Sequence, residues 1–72
     1  MTANRKIVIP FLIKVYMEDE IAKIESITDS LENIQELYDN KMHTGVIKNY
    51  EVYTKVHGNY QFILSGIEEY GM

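Results

Sequence analysis

Residues 6–17 alternate almost without interruption. Ile7, Ile9, Phe11, Ile13, Val15 and Met17 fall on one side, and Lys6, Val8, Pro10, Leu12, Lys14 and Tyr16 on the other. A period of two with β-branched residues predicts a strand with one fully apolar face. Pro10 has no N–H to give to a ladder, so this strand should lie at an edge or carry a bulge.

The next stretch, residues 18–41, repeats at three and four. Ile24, Ile27, Leu31, Ile34 and Tyr38 line one side, with Ile21 and Leu37 flanking. That spacing predicts one long amphipathic helix. The acids Glu18, Asp19 and Glu20 would complement its positive end, with Asp19 as N-cap. Lys41 and His43 followed by Gly45 mark its stop. A rival reading makes residues 21–27 a second strand and starts a shorter helix near residue 29, where Asp29 caps and Glu32 completes a capping box. As a strand, however, Ile21, Lys23, Glu25 and Ile27 against Ala22, Ile24 and Ser26 segregate poorly, which favours the long helix.

Residues 46–67 read as a hairpin turning around Gly58. A two-residue turn would put Gln61 and Ser65 beside Val52 and Val56. A three-residue turn at His57, Gly58 and Asn59 puts Tyr60, Phe62 and Leu64 beside Val56, Thr54 and Val52, the cleaner apolar face. Register follows the buried face, so the three-residue turn is expected. Residues 70–72 should fray.

The fold expected is therefore α+β, β-α-β-β, with one long amphipathic helix on a three-stranded, mostly antiparallel sheet and the last strand in the middle. The alternative is β-β-α-β-β with the shorter helix. All 72 residues fit one small domain. A chain this short buries only about 60% of its unfolded surface, so association with a second copy is a natural source of further stability.

Composition narrows the chemistry. The chain has no cysteine, which removes disulfides and thiolate metal sites. Its two histidines, His43 and His57, fall at a helix end and in a turn, outside any metal-ligand spacing. Gly45, Gly58, Gly66 and Gly71 form no phosphate loop, and Ser26, Ser30 and Ser65 lie in no nucleophile elbow. A non-enzymatic protein with no cofactor and no metal is expected. The apolar run after Arg5 and Lys6 lacks a cleavage site and is far short of the ~20 residues that span a bilayer. A cytoplasmic protein without membrane contact follows. Six lysines to one arginine, with abundant Ile, Asn and Tyr, suit an AT-rich genome, cellular or phage.

Net charge is −4, but residues 18–39 hold eight acids against Lys23 alone. On the long helix, Glu25, Asp29, Glu32, Glu36 and Asp39 would form one carboxylate ridge with no partner in the chain. Like charges four apart cost about 0.2–0.5 kcal/mol per pair, and a ridge with roughly 5–6 Å spacing could occupy a basic groove in place of nucleic acid. The partner expected is a larger protein with an electropositive surface, inhibited or regulated by this ridge.

The uncovered sheet face supplies a second candidate. Ile47, Tyr53, Ile63 and Ile67, with Val8, Leu12 and Tyr16, would form an apolar patch suited to homodimerisation. Two further readings use the same tyrosines. One is a small-ligand pocket. The other is single-stranded nucleic acid stacking on Tyr16 and Tyr53 with Lys14, Lys48 and Lys55, which the acidic helix disfavours.

Overall fold

The computed structural model describes residues 8–67. Lys6 and Ile7, at the start of the first expected strand, and the tail at 70–72 lie outside the described residues. The elements run β1 (Val8–Met17), β2 (Glu20–Ser30), α1 (Leu31–His43), β3 (Asn49–Val56) and β4 (Asn59–Ser65). They form one antiparallel sheet in the order β2-β1-β3-β4, with the helix against one face.

The α+β class holds, and the long helix and three-stranded sheet do not. Residues 20–30 form a strand paired with β1 from Met17 opposite Glu20 to Val8 opposite Ser30, with Ala22 the extra residue of one register shift. Poor segregation misleads here because β2 is a border strand, exposed along most of its length, so neither face must be uniformly apolar. Ile21, Ile24, Ile27 and Thr28 are β-branched and favour the pleated conformation. Asp19 is accordingly not an N-cap. It sits with Glu18 in the tight β1–β2 turn, where Glu18 takes φ 60°.

The helix starts one residue after the shorter reading would have it. Ser30 is the N-cap, its Oγ accepting from the Asn33 N–H at 3.2 Å. Asp29, just before it, accepts from the Ser30 N–H at 2.7 Å and from Asn33 Nδ2 at 2.9 Å. The other end follows the stop signal closely. Gly45 takes φ 84°, donating to Met42 O at 3.1 Å, while Val46 donates to Lys41 O at 2.8 Å. This is the paired capping of a Schellman motif.

Pro10 sits in an inner strand rather than an edge. It is tolerated because β3 pairs with β1 only from Leu12 to Tyr16, leaving β1 open on that side at Pro10. The last strand is likewise not in the middle; β4 is a border, and β1 pairs with β3.

The β3–β4 hairpin turns on two residues, His57 at φ 50° and Gly58 at φ 84°, with Val56 opposite Asn59. Left-handed conformation at both central positions suits the twist of paired strands. A register shift then restores an apolar inner face. Tyr53 opposes Phe62 while Val52 opposes Leu64, so Ile63 is the extra residue of a bulge. Leu64 faces inward as the three-residue turn required, whereas Tyr60 and Phe62 are turned to the opposite face.

The core lies between α1 and the inner sheet face: Phe11, Ile13 and Val15 of β1, Tyr50 and Val52 of β3, Ile34 and Tyr38 of the helix, and Ile47. Gly66 lies against it without room for a side chain. A Cβ there would stand 2.6 and 2.8 Å from Tyr50 ring carbons and would also meet Met42 Sδ. Overpacking of this kind costs about 1–3 kcal/mol. Gly66→Ala should therefore lower the urea midpoint clearly, while Ser26→Ala on the exposed border should leave it unchanged. Equal midpoints would show that the close approach is absent.

Candidate functional site: the uncovered sheet face

The five carboxylates expected to form one helical ridge are divided between two elements, Glu25 and Asp29 on β2 and Glu32, Glu36 and Asp39 on α1. Glu25 belongs to β2, where it accepts a hydrogen bond from the Tyr38 hydroxyl and pairs with Lys23 at 3.2 Å. Asp29 serves the helix start. Asp39 accepts from the Tyr50 hydroxyl at 2.7 Å. Glu32 and Glu36 remain on the outer surface of α1. The ridge therefore does not exist as a single stripe, and Glu25 and Asp39 have partners inside the chain.

The bond from Tyr38, with help from Lys23, holds the Glu25 carboxyl below its ordinary pKa against the opposing effect of desolvation. Burial, and then the bond to Glu25, pushes the Tyr38 phenol up. Tyr50 is raised likewise by burial and by Asp39.

The four residues expected at a self-association face also separate. Ile47 is buried in the core at 8% exposure. Ile63 is the bulge residue, half-buried against the core. Ile67 is exposed beyond β4, its N–H bonded to Asn49 Oδ1 at 3.1 Å. Tyr53 alone lies on the outer face, where Leu12 and Tyr16 join it as expected.

What the structure assembles on that face is different and more polar. Glu51 Oε1 accepts from the hydroxyls of Tyr16 and Tyr53, both at 2.9 Å. Lys14 Nζ stands 4.6 Å from the centroid of the Tyr53 ring, which meets Phe62 edge-on at 5.7 Å and 74°. Lys55 lies 5.4 Å over the Tyr60 ring. Tyr60, Phe62 and Ile24 are each more than half exposed. Burial, followed by the bond to Glu51, pushes the Tyr53 phenol up to about 12. The Tyr16 phenol is raised chiefly by its own bond to Glu51.

Sequence reasoning missed Tyr60 and Phe62 because a bulge cannot be seen in alternation. The signal lay in His57-Gly58, a pair suited to a two-residue turn. Once that turn is accepted, Phe62 must share a face with Tyr53.

A smaller cleft on the helix side, lined by Met17, Lys23, Glu25, Tyr38, Lys41 and Val46 among others, encloses about 190 Å³. That is below the ~300 Å³ at which ligand pockets begin. Among the described residues, no group of three or more His, Asp and Glu is placed to hold a metal ion, and no helix is long and apolar enough to cross a membrane. No protein family, curated protein or solved structure matches the chain.

The tyrosine environments have a measurable signature. A phenol with a raised folded pKa contributes stability that is complete below pH 10 and is lost as pH rises through the folded value. Tyr16, Tyr38, Tyr50 and Tyr53 should therefore stay protonated above pH 10 in the native chain. Phenolate absorbance at pH 11 should rise sharply when denaturant is added. An absorbance that denaturant does not change would mean that these hydroxyls are solvated in the native chain.

Proposed function

We propose that this chain is a non-enzymatic protein-interaction module whose working surface is the uncovered face of the sheet. One observation carries the reading. The helix covers one face, while the other displays Ile24, Tyr60 and Phe62 beside Leu12 and Tyr53, with Lys14 and Lys55 laid over aromatic rings. Aromatic and aliphatic side chains at the centre of a surface patch supply most binding energy at protein interfaces. The lysines favour a partner that brings carboxylates to the patch edge. The face is largely formed in advance, since the bonds to Glu51 and the Tyr53–Phe62 contact already fix its rings, and this lowers the entropic cost of binding.

Regulation or inhibition of a larger protein remains the role proposed for such a module, with the contact moved from the carboxylates to the sheet. A second reading, single-stranded nucleic acid, is favoured by the interleaving of Tyr16, Tyr53 and Tyr60 with Lys14 and Lys55. The acids of α1 are on the other side of the sheet and do not cover these rings. Stacking on aromatic rings is worth about 1–3 kcal/mol per base, but two lysines on the face offer little phosphate neutralisation. The protein partner is the better supported of the two.

The test compares three immobilised forms: wild type, the sheet variant Tyr60→Ser/Phe62→Ser, and the helix variant Glu32→Lys/Glu36→Lys. Each is exposed to lysate of the native cell after circular dichroism has confirmed its fold. A protein retained by wild type and the helix variant but lost from the sheet variant is the expected result. Loss from the helix variant alone would return the function to the carboxylates. Tight, salt-sensitive binding of oligothymidylate by wild type, lost in the sheet variant, would establish the nucleic-acid reading instead.

A further inference from the structure

The sheet has two borders, and they differ. β4 has seven residues and is distorted by the bulge at Ile63. β2 is longer, at eleven residues, and has no proline; its own register shift falls at Ala22 and leaves Lys23 to Ser30 in regular pairing with β1, and among the described residues no strand lies beyond that row of backbone groups. Such an edge invites a further strand unless it is protected, and charges pointing toward the covered face are a common protection. Lys23 and Glu25 occupy that place on β2, opposite the core residues Val15 and Ile13. A lone lysine there would repel its own copy. A lysine and a glutamate two apart do not.

We propose that the chain pairs with a second copy of itself along β2, antiparallel, in the register centred on Ile24. In that register Lys23 of each copy opposes Glu25 of the other, giving two cross-strand ion pairs on the helix side. Ile24 meets its own counterpart on the uncovered side. Opposed charges and paired β-branched side chains each favour a cross-strand contact. Centring on Lys23 or on Glu25 would set like charges face to face. A slip that changes parity would exchange the two faces. Centring on Ser26 would oppose Lys23 to Asp29 but set the Glu25 carboxylate against Ile27 and put Ser26, not a β-branched residue, at the axis.

The two-fold axis runs perpendicular to the sheet, so the product is one continuous sheet with four strands from each copy and both helices on the same side. The uncovered faces join across Ile24, doubling the surface proposed above for a partner. Tyr60 and Phe62 lie on β4, at the opposite border, so the pairing and the face reading can fail separately.

The absence of cysteine from the chain makes the register directly readable. Opposed residues in an antiparallel pair have Cα atoms about 4.5–5.5 Å apart, within the roughly 4.4–6.8 Å that a disulfide spans. Ile24 is 55% exposed, so Ile24→Cys should fold normally. Under mild oxidation Ile24→Cys should form a disulfide dimer at least tenfold faster than Ser26→Cys or Phe62→Cys. Faster linkage of Ser26→Cys would overturn the register. Faster linkage of Phe62→Cys would show face-to-face packing instead, and equally slow linkage of all three would show no pairing along β2.

Charge exchange gives an independent reading. Lys23→Glu and Glu25→Lys should each sediment as monomers, and their equimolar mixture should recover a dimer with complementary pairs. If the mixture stays monomeric while both variants are folded, the pairing is wrong. Should Glu25→Lys fail to fold through loss of its bond to Tyr38, Lys23→Glu in the Ile24→Cys background must still slow the cross-link, and an unchanged rate would overturn the proposal.

Discussion

Two tyrosines in the core dictate where much of the charge in this chain must go. Tyr50 is completely buried and Tyr38 nearly so, their rings 5.3 Å apart between helix and sheet. Each ring fills the core as a large apolar group while its hydroxyl demands a partner. A buried polar group left without one costs about 1–3 kcal/mol. Asp39 meets the demand from the helix and Glu25 from β2, so the first bond ties β3 to α1 and the second ties α1 to β2. Among the described residues no buried side-chain polar atom lacks a partner. In a chain with so small a core, these two bonds join elements that apolar contact alone would hold loosely.

That arrangement gives the molecule its two sides. Glu25 and Asp39 are each bonded to a core tyrosine, and Asp29 is held at the helix start. The remaining helix acids, Glu32 and Glu36, face away from the sheet. On the far face Glu51 is the acceptor for Tyr16 and Tyr53, which leaves lysines and aromatic rings as the more prominent features. A carboxylate that fixes a tyrosine hydroxyl does local structural work, and the same motif appears on both faces of the sheet. The acid-rich composition therefore reports internal tyrosine chemistry as much as any partner.

Some of this was legible in the residues and some was not. Alternation from Val8 to Met17 placed β1 and its buried face correctly, and Gly45 marked the helix end. The stretch 20–30 misleads because its isoleucines satisfy two periods. Ile24, Ile27 and Leu31 suit a helical face, while the strand that forms owes its existence to pairing with β1, a contact that no local pattern records. The Ile63 bulge was hidden for a related reason. It lets a two-residue turn coexist with an inward Leu64, whereas alternation alone forced a choice between them. The candidate sites follow: Tyr53 lies on the outer face, Ile47 is core, Ile63 is half-buried, and Phe62 lies on the face opposite to the one expected.

Carboxylates such as Glu25 therefore serve the tyrosines of the core. A bond that depresses the folded pKa of Glu25 contributes stability above the ordinary carboxylate range and loses it as pH falls through the folded value. The direct measurement is a carbon-detected NMR titration of the Glu25 carboxyl in wild type and in Tyr38→Phe. The expected result is a midpoint below the ordinary carboxylate range in wild type that moves upward when the hydroxyl is removed. An identical midpoint in the two proteins would make Glu25 a surface acid with no role in holding helix to sheet.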